Sequence, residues 1–198
     1  MTTHQGDELL ALFAREAVSE GDRVAVPINT SLVVDDVVEA AGGEVTRTPV
    51  GDVFVAEAAT DAGVVFGGEP SGAWIWPAET LAPDGALAAC KLVALVSRHG
   101  SLATLVDELP SYPIERESIE VTRKEALADV VAGLATERYE TATRIDGVRV
   151  ETDQGWFLVR ASGTQPLLRL TAQGRTDEET RSLFDNARSL VGTARERL

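Results

Sequence analysis

The sequence is poor in cysteine, histidine and lysine. Of its 198 residues one is cysteine, Cys90, and two are histidine, His4 and His99. A single thiol cannot form a disulfide within the chain, and cysteine-rich metal sites are excluded. The two histidines are far apart and lack acidic or cysteine neighbours at ligand spacing. Neither is a candidate for a metal or for acid–base chemistry, and His99 reads as a helix-end cation or cap. No apolar run approaches the ~18 residues that a membrane helix needs. Residues Met1–Asp7 show no basic stretch before an apolar core, so no secretory signal is expected, and the reading is cytoplasmic. No G-x-x-x-x-G-K-[ST] occurs, which removes the Walker A loop. Internal repeats and low-complexity stretches are also absent.

Positive charge is scarce and oddly distributed. Eighteen basic residues face thirty-two acidic ones, a formal net charge of −14, and only Lys91 and Lys124 among the basic residues are lysine. So acidic a surface argues against nucleic acid as a partner. Acidic excess with few lysines points to a salt-loving source. In ~1 M salt the Debye length is about 3 Å, so the excess charge repels itself little.

The first half alternates helix and strand. Leu9, Leu10, Phe13 and Ala17 share a helical face, and Arg23–Ile28 reads as a buried strand. Asn29, Thr30 and Ser31 offer caps for a helix to about Ala41. Further strands are expected at 44–48 and 63–66, with a helix between them from Gly51-Asp52 to about Asp61. Helices should follow from Pro83-Asp84-Gly85 to His99 and from Ser101 to Leu109. Asp35-Asp36 falls in a helix pattern and reads as a solvated face. The order predicts a layered α/β domain over 1–109. Pro110–Pro113 reads as a linker. Residues 114–198 have another rhythm: a strand from Ile114, a capping box Thr122-x-x-Glu125, a hairpin about Asp146-Gly147 and strands at 155–160 and 167–172. A second capping box, Thr176-x-x-Glu179, opens the last helix. This predicts a smaller α+β domain with an antiparallel sheet.

Two motifs carry the chemistry. Arg160-Ala-Ser162-Gly163-Thr164-Gln-Pro166-Leu-Leu-Arg169 sets two arginines, two hydroxyls and a glycine within ten residues. Guanidinium forks match phosphate oxygens, and a glycine turn lets successive N–H groups face one anion. From the residues alone, a hairpin with solvated arginines remains an equal alternative. The second motif is Gly67-Gly68-Glu69-Pro70-Ser71-Gly72, at the end of a strand of the α/β sheet, where such sheets place ligands. Glu69 can accept from two hydroxyls, Ser71 can donate and accept, and Gly67, Gly68 and Gly72 would leave room for a ring.

The first motif resembles the phosphate loop in the last domain of the α-D-phosphohexomutases. The second resembles that family's sugar loop. The resemblance spans most of the chain and implies phosphate binding by Arg160, Ser162, Gly163, Thr164 and Arg169. It implies sugar binding by Glu69, Ser71, Gly68 and Gly72. The implied ligand is a hexose phosphate of glucose, mannose or glucosamine. There are departures. Ala73 stands where the family usually has histidine, and Val53 where an arginine often follows V-G-D, leaving Asp52 as a helix cap. Trp74 and Trp76 could stack on a sugar, although core packing is the commoner fate of tryptophan.

The family's mechanism, as the resemblance implies it, also needs a phosphoserine and a Mg²⁺ held by an aspartate-rich loop. Neither motif occurs here, so no metal or cofactor is expected to bind this chain and no residue is assigned a catalytic role. Gly6–Leu12 resembles the segment that follows the metal loop. The expectation is a C-terminal half, the family's third and fourth domains, inactive alone and from a halophilic archaeon. Three readings stay open: half of a mutase completed by a separate chain with the serine and metal domains, a non-catalytic phosphosugar-binding module, or a truncated, decayed product.

Overall fold

The computed structural model describes residues 5–198, so His4 and the start of the N-terminal segment lie outside the described residues. The chain divides into two units, 1–111 and 112–198.

In the first unit the order is α1 (Gln5–Ala17), β1 (Arg23–Pro27), α2 (Leu32–Ala40), β2 (Glu44–Thr48), α3 (Asp52–Ala58), β3 (Val64–Gly68), β4 (Trp74–Ile75), α4 (Gly85–His99) and α5 (Leu102–Asp107). The strands pair as β2-β1-β3-β4, parallel except for β4, which runs antiparallel to β3. Side-chain alternation along β3 sets its two faces. Phe66 and Gly68 face α1, and Gly67 faces Val55 of α3. The expected single apolar face of α1 proves too narrow. Leu10, Ala11, Leu12, Phe13 and Ala14 are all buried, because the helix is packed by α2, β3 and α5 together. In α4, by contrast, Ala88 and Leu95 are buried, and Leu87, Leu92 and Val96 only partly.

Local chemistry sets the helix ends. Ser31 Oγ accepts from Val33 N–H at the start of α2, and Asp84 Oδ1 accepts from Ala86 and Leu87 N–H at the start of α4. Asp35 is no solvated residue: both its oxygens accept from Arg47 Nη2, at 2.5 and 2.6 Å. Glu16 accepts from His99 at 2.9 Å and pairs with Arg98.

In the second unit β5 (Ile114–Glu120), α6 (Lys124–Arg138), β6 (Ala142–Arg144), β7 (Val148–Thr152), β8 (Gly155–Ala161), β9 (Leu167–Gly174) and α7 (Asp177–Glu196) build a five-stranded antiparallel sheet in the order β5-β9-β8-β7-β6. α6 and α7 pack on one face. Val148, Val150, Phe157, Val159, Leu168, Leu170 and Ala172 of the sheet meet Leu127, Val131, Phe184 and Leu190 of the helices there. Arg188 of α7 donates to Glu117 of β5 at 2.9 Å, and that bond holds its guanidinium above the ordinary range. The fold class is an α/β domain followed by a smaller α+β domain.

The two expected capping boxes part company. Thr176 Oγ1 accepts from Glu179 N–H at 3.2 Å, and α7 starts as read. Thr122 caps nothing. α6 begins at Lys124 with Arg123 as its N-cap residue, so Thr122 sits one position too early to reach the first free N–H groups. Thr176→Ala should therefore lower stability by about 1 kcal/mol, and Thr122→Ala by less than about 0.5 kcal/mol, measured by urea unfolding. Equal losses would contradict this assignment.

Candidate functional site

Each loop is built within its own unit. In the second, β8 and β9 pair in register from Gly155↔Gly174 to Ala161↔Leu168, which sets Arg160 directly opposite Arg169. Directly opposed residues share a sheet face, with Cβ atoms about 5 Å apart. Val159, Leu168 and Leu170 point to the helices, so the two arginines lie on the helix-free face. Like charges so placed repel. Arg160 is relieved by Asp146, whose Oδ2 accepts from its Nη1 at 2.6 Å. Arg169 is exposed and has a weaker contact, Nη2 to Gln165 Oε1 at 3.4 Å.

The loop between the arginines is closed by Ser162 N–H donating to Leu167 C=O at 2.8 Å, and anchored by Val121 N–H donating to Pro166 C=O at 3.0 Å. Ser162 is 2 % exposed, whereas Gly163 and Thr164 are open to solvent. The N–H groups of Gly163, Thr164 and Gln165 find no acceptor among the described residues. Gly163 does not adopt a positive φ, and a Cβ there would meet nothing within 4 Å. Its glycine identity therefore answers neither a left-handed backbone conformation nor packing within the protein.

Two residues that the sequence reading missed support this loop. Asp146, read only as a turn residue, is the partner of Arg160. The turn itself needs glycine: Gly147 has φ +84°, and a Cβ there would lie 2.3 Å from Val159 O. Lys124, at the start of α6, donates to the C=O groups of Ser162 and Gln165. Its signal in the sequence was rarity alone.

In the first unit Glu69, Pro70, Ser71 and Gly72 turn the chain from β3 into β4. Gly72 N–H donates to Glu69 C=O at 3.0 Å and Glu69 N–H to Ala73 C=O at 2.9 Å. Pro70 suits the second position of such a turn and Gly72 the last. The Glu69 carboxylate is held on both sides: Oε1 accepts from Gly51 N–H at 2.9 Å and Oε2 from Ser71 Oγ at 3.3 Å. Glu69 and Ser71 are thus brought together, and the start of α3 is tied to them. Asp52 Oδ1 accepts from its neighbour Val53 N–H, while Gly51 occupies the N-cap position. Val53 is 70 % exposed beside this loop.

The glycines divide differently from expectation. Gly72, at φ +100°, has open space around it. Gly67 and Gly68 are buried and keep room for protein, not for a ring. A Cβ on Gly68 would lie 2.6 Å from Trp74 Cδ1 and 2.8 Å from Leu10 Cδ1, and one on Gly67 2.8 Å from Val55 Cγ1. Trp74 and Trp76 pack edge-on against Phe13, with centroids 4.9 and 5.2 Å away, so both belong to an aromatic cluster rather than to a stacking platform.

Because Glu69 acts as a structural clasp, its truncation and its isosteric change separate. Glu69→Ala removes the acceptor of Gly51 N–H and should lower the stability of the first unit by about 1–2 kcal/mol. Glu69→Gln retains an amide oxygen and should lose less than half of that in urea unfolding. Equal stability of Glu69→Ala and the parent protein would remove the clasp.

Comparison with known proteins bears on these loops. Residues 5–112 match the model for phosphoglucomutase/phosphomannomutase, alpha/beta/alpha domain III, and residues 118–190 match that for the family's C-terminal domain. A probable phosphoglucosamine mutase of Methanopyrus kandleri is 45 % identical over 190 residues, covering 93 % of this chain and 42 % of the relative. Another, of Methanococcoides burtonii, is 43 % identical over 191 residues, with 96 % and 43 % covered. Among solved structures, a phosphoglucomutase/phosphomannomutase family protein of Burkholderia thailandensis superposes with a TM-score of 0.83 at 24 % identity, over 96 % of this chain and 42 % of that one. The N-acetylphosphoglucosamine mutase of Aspergillus fumigatus, in complex with GlcNAc-6P and magnesium, gives 0.65 at 14 % identity, over 95 % and 46 %. The chain thus spans less than half the length of these relatives. It belongs to the phosphoglucomutase/phosphomannomutase family, of which it carries domain III and the C-terminal domain.

Proposed function

We propose that this chain is the substrate-holding half of a phosphohexomutase and that its ligand is a hexose phosphate. The observation that carries the reading is the 160–169 loop. It offers two opposed arginines and three N–H groups without acceptors among the described residues, beside a glycine that borders open space. A phosphate dianion satisfies all of these at once. It neutralises the arginine pair through charge-assisted hydrogen bonds and accepts from the N–H groups. Arg160 and Arg169 hold the phosphate that does not react. Gly163 and Thr164 line it, and Ser162 adds its hydroxyl from the loop's interior. Glu69 accepts from ring hydroxyls through lone pairs that Gly51 and Ser71 leave free, with Ser71 and Gly72 alongside. Glucosamine phosphate is the favoured hexose, because relatives at 43–45 % identity are described as phosphoglucosamine mutases.

No residue here is assigned the phosphoryl transfer itself. Among the described residues no group of three or more His, Cys, Asp or Glu is placed to hold a metal. On this reading the serine and the metal belong to the part of the relatives' length that this chain does not span, supplied by a separate chain or by a longer protein. The alternative is a phosphosugar-binding module without turnover. No helix among the described residues is long and apolar enough to cross a membrane, in keeping with a cytoplasmic site of action.

Glucosamine 6-phosphate and glucose 6-phosphate should bind the isolated chain, read by calorimetry or amide NMR, and Arg160→Ala should weaken both about tenfold or more. Unchanged affinity in Arg160→Ala would remove the phosphate role. The same protein with Mg²⁺ and a hexose bisphosphate activator should not interconvert the 1- and 6-phosphates; robust turnover would sink the half-enzyme reading. A salt-loving archaeal source is a separate inference from the thirty-two acidic residues and two lysines. It predicts a thermal midpoint that keeps rising from 0.5 to 3 M KCl. A plateau below 0.5 M would identify ordinary screening of surface repulsion instead.

A further inference from the structure

Lys124 lies thirty-eight residues before Ser162, outside both motifs. It is the first residue of α6, and its side chain is 16 % exposed. Nζ donates to Ser162 C=O at 2.5 Å and to Gln165 C=O at 3.0 Å. A carboxylate oxygen of Glu125, itself mostly exposed, lies 3.7 Å away. The two bonded carbonyls bracket Gly163 and Thr164. One ammonium thus gathers both ends of the tip of the loop.

The consequence follows from peptide geometry. A trans peptide points its C=O and N–H in opposite directions. With Ser162 C=O turned to the ammonium, Gly163 N–H is aimed away from Lys124. The chain uses arginine for all but two of its basic residues, yet this position is lysine. A compact ammonium with a tripod of donors suits two carbonyls converging on one point; a broad planar guanidinium suits them less.

We propose that Lys124 is a positioning residue of the phosphate loop. Its ammonium holds the carbonyls behind the loop, so that the Gly163 N–H faces the phosphate beside those of Thr164 and Gln165. This rests on reading the loop as a phosphate site. Without the ammonium, the hairpin stays closed by the Ser162–Leu167 and Val121–Pro166 bonds. The 162–163 peptide, however, is free to rotate and bring a carbonyl oxygen toward the anion. Phosphate affinity therefore suffers more than the fold does.

The test uses the full chain labelled with ¹⁵N, with inorganic phosphate and glucose 6-phosphate as probes, in the parent protein and in Lys124→Met, Lys124→Arg and Arg160→Ala. The parent should show saturable shifts of the Gly163, Thr164 and Gln165 amides. Lys124→Met should keep the dispersed sheet spectrum, show a displaced Gly163 amide before any ligand, and bind at least about tenfold more weakly. Lys124→Arg, which still donates to carbonyls, should recover part of that loss. If Lys124→Met binds as the parent does while Arg160→Ala is impaired, Lys124 has no such role and the phosphate site stands. If no loop amide responds in the parent, the phosphate site itself falls, and this role with it. A reading without any variant comes from the side-chain ammonium spectrum, which two lysines reduce to two resonances. The Lys124 resonance should respond in step with the Gly163 amide. Indifference while Gly163 saturates would overturn the proposal even if Lys124→Met failed to fold.

Discussion

The second unit depends on the register of β8 against β9. Because side chains alternate along a strand, a slip of one residue sends every side chain to the other face. The observed register puts Val159, Leu168, Leu170 and Ala172 beneath α6 and α7. The same register fixes Arg160 against Arg169. Core packing, worth about 1.5–3 kcal/mol for each fully buried aliphatic or aromatic side chain, thereby holds two like charges in a place that charge alone would avoid. The repulsion is local and unbalanced, and an anion relieves it. Asp146 takes that role for one arginine in the free protein. Gly147 allows it, since its positive φ and lack of a Cβ let the β6–β7 turn press against Val159 and Arg160.

The first unit solves a different problem. Its loop has to leave β3 at a defined angle and return as β4 within a few residues. α1 supplies the brace. Gly6 lies so close to Pro70 that a Cβ would fall 1.9 Å from its carbonyl oxygen, and Leu10 covers Gly68. Glu69 then clasps the start of α3 through Gly51 N–H. A carboxylate that might have been free is thus part of the frame. Both its oxygens are engaged and its rotamer is fixed, so on the proposed reading less entropy remains to be lost when hydroxyls arrive. Phe13, Phe66, Trp74 and Trp76 form one aromatic cluster on the α1 side of the sheet and give the loop a rigid base.

Legibility in the sequence followed the range of the forces. Strand and helix order came from hydrophobic period and from caps such as Ser31, Asp84 and Thr176, because those are contacts between near neighbours. The Thr122 box failed because Arg123, not Thr122, takes the N-cap position of α6, and no side chain caps that end. The motif arginines were visible as residue types, but their pairing across β8 and β9 was a matter of register. Glycine was the least legible residue. Gly67, Gly68, Gly72 and Gly163 look alike in a string, yet two give room to neighbouring side chains, one makes a turn and one borders open space. Only the surroundings of an absent Cβ tell these apart.

On the proposed reading a chain of net charge −14 is host to a phosphate dianion. The resolution lies in distance. At physiological ionic strength exposed charges separated by more than about 8 Å are largely screened, and at molar salt by more than about 3 Å. The acidic surface then counts for little against groups that touch the ligand. On that reading what remains is the short-range set: two guanidinium forks, the loop N–H groups, of which Gly163 N–H is aimed by a pinned carbonyl, and the ammonium that pins it. Such a site gains little from long-range attraction and loses correspondingly little when salt removes it. The division of labour among cations follows. Planar, weakly hydrated guanidinium groups face the ligand, where geometry has to be bidentate, and the compact ammonium works behind the loop, where carbonyl dipoles converge. The proposed affinity is thus a matter of loop geometry, and the overall charge is left free to answer to solubility and salt.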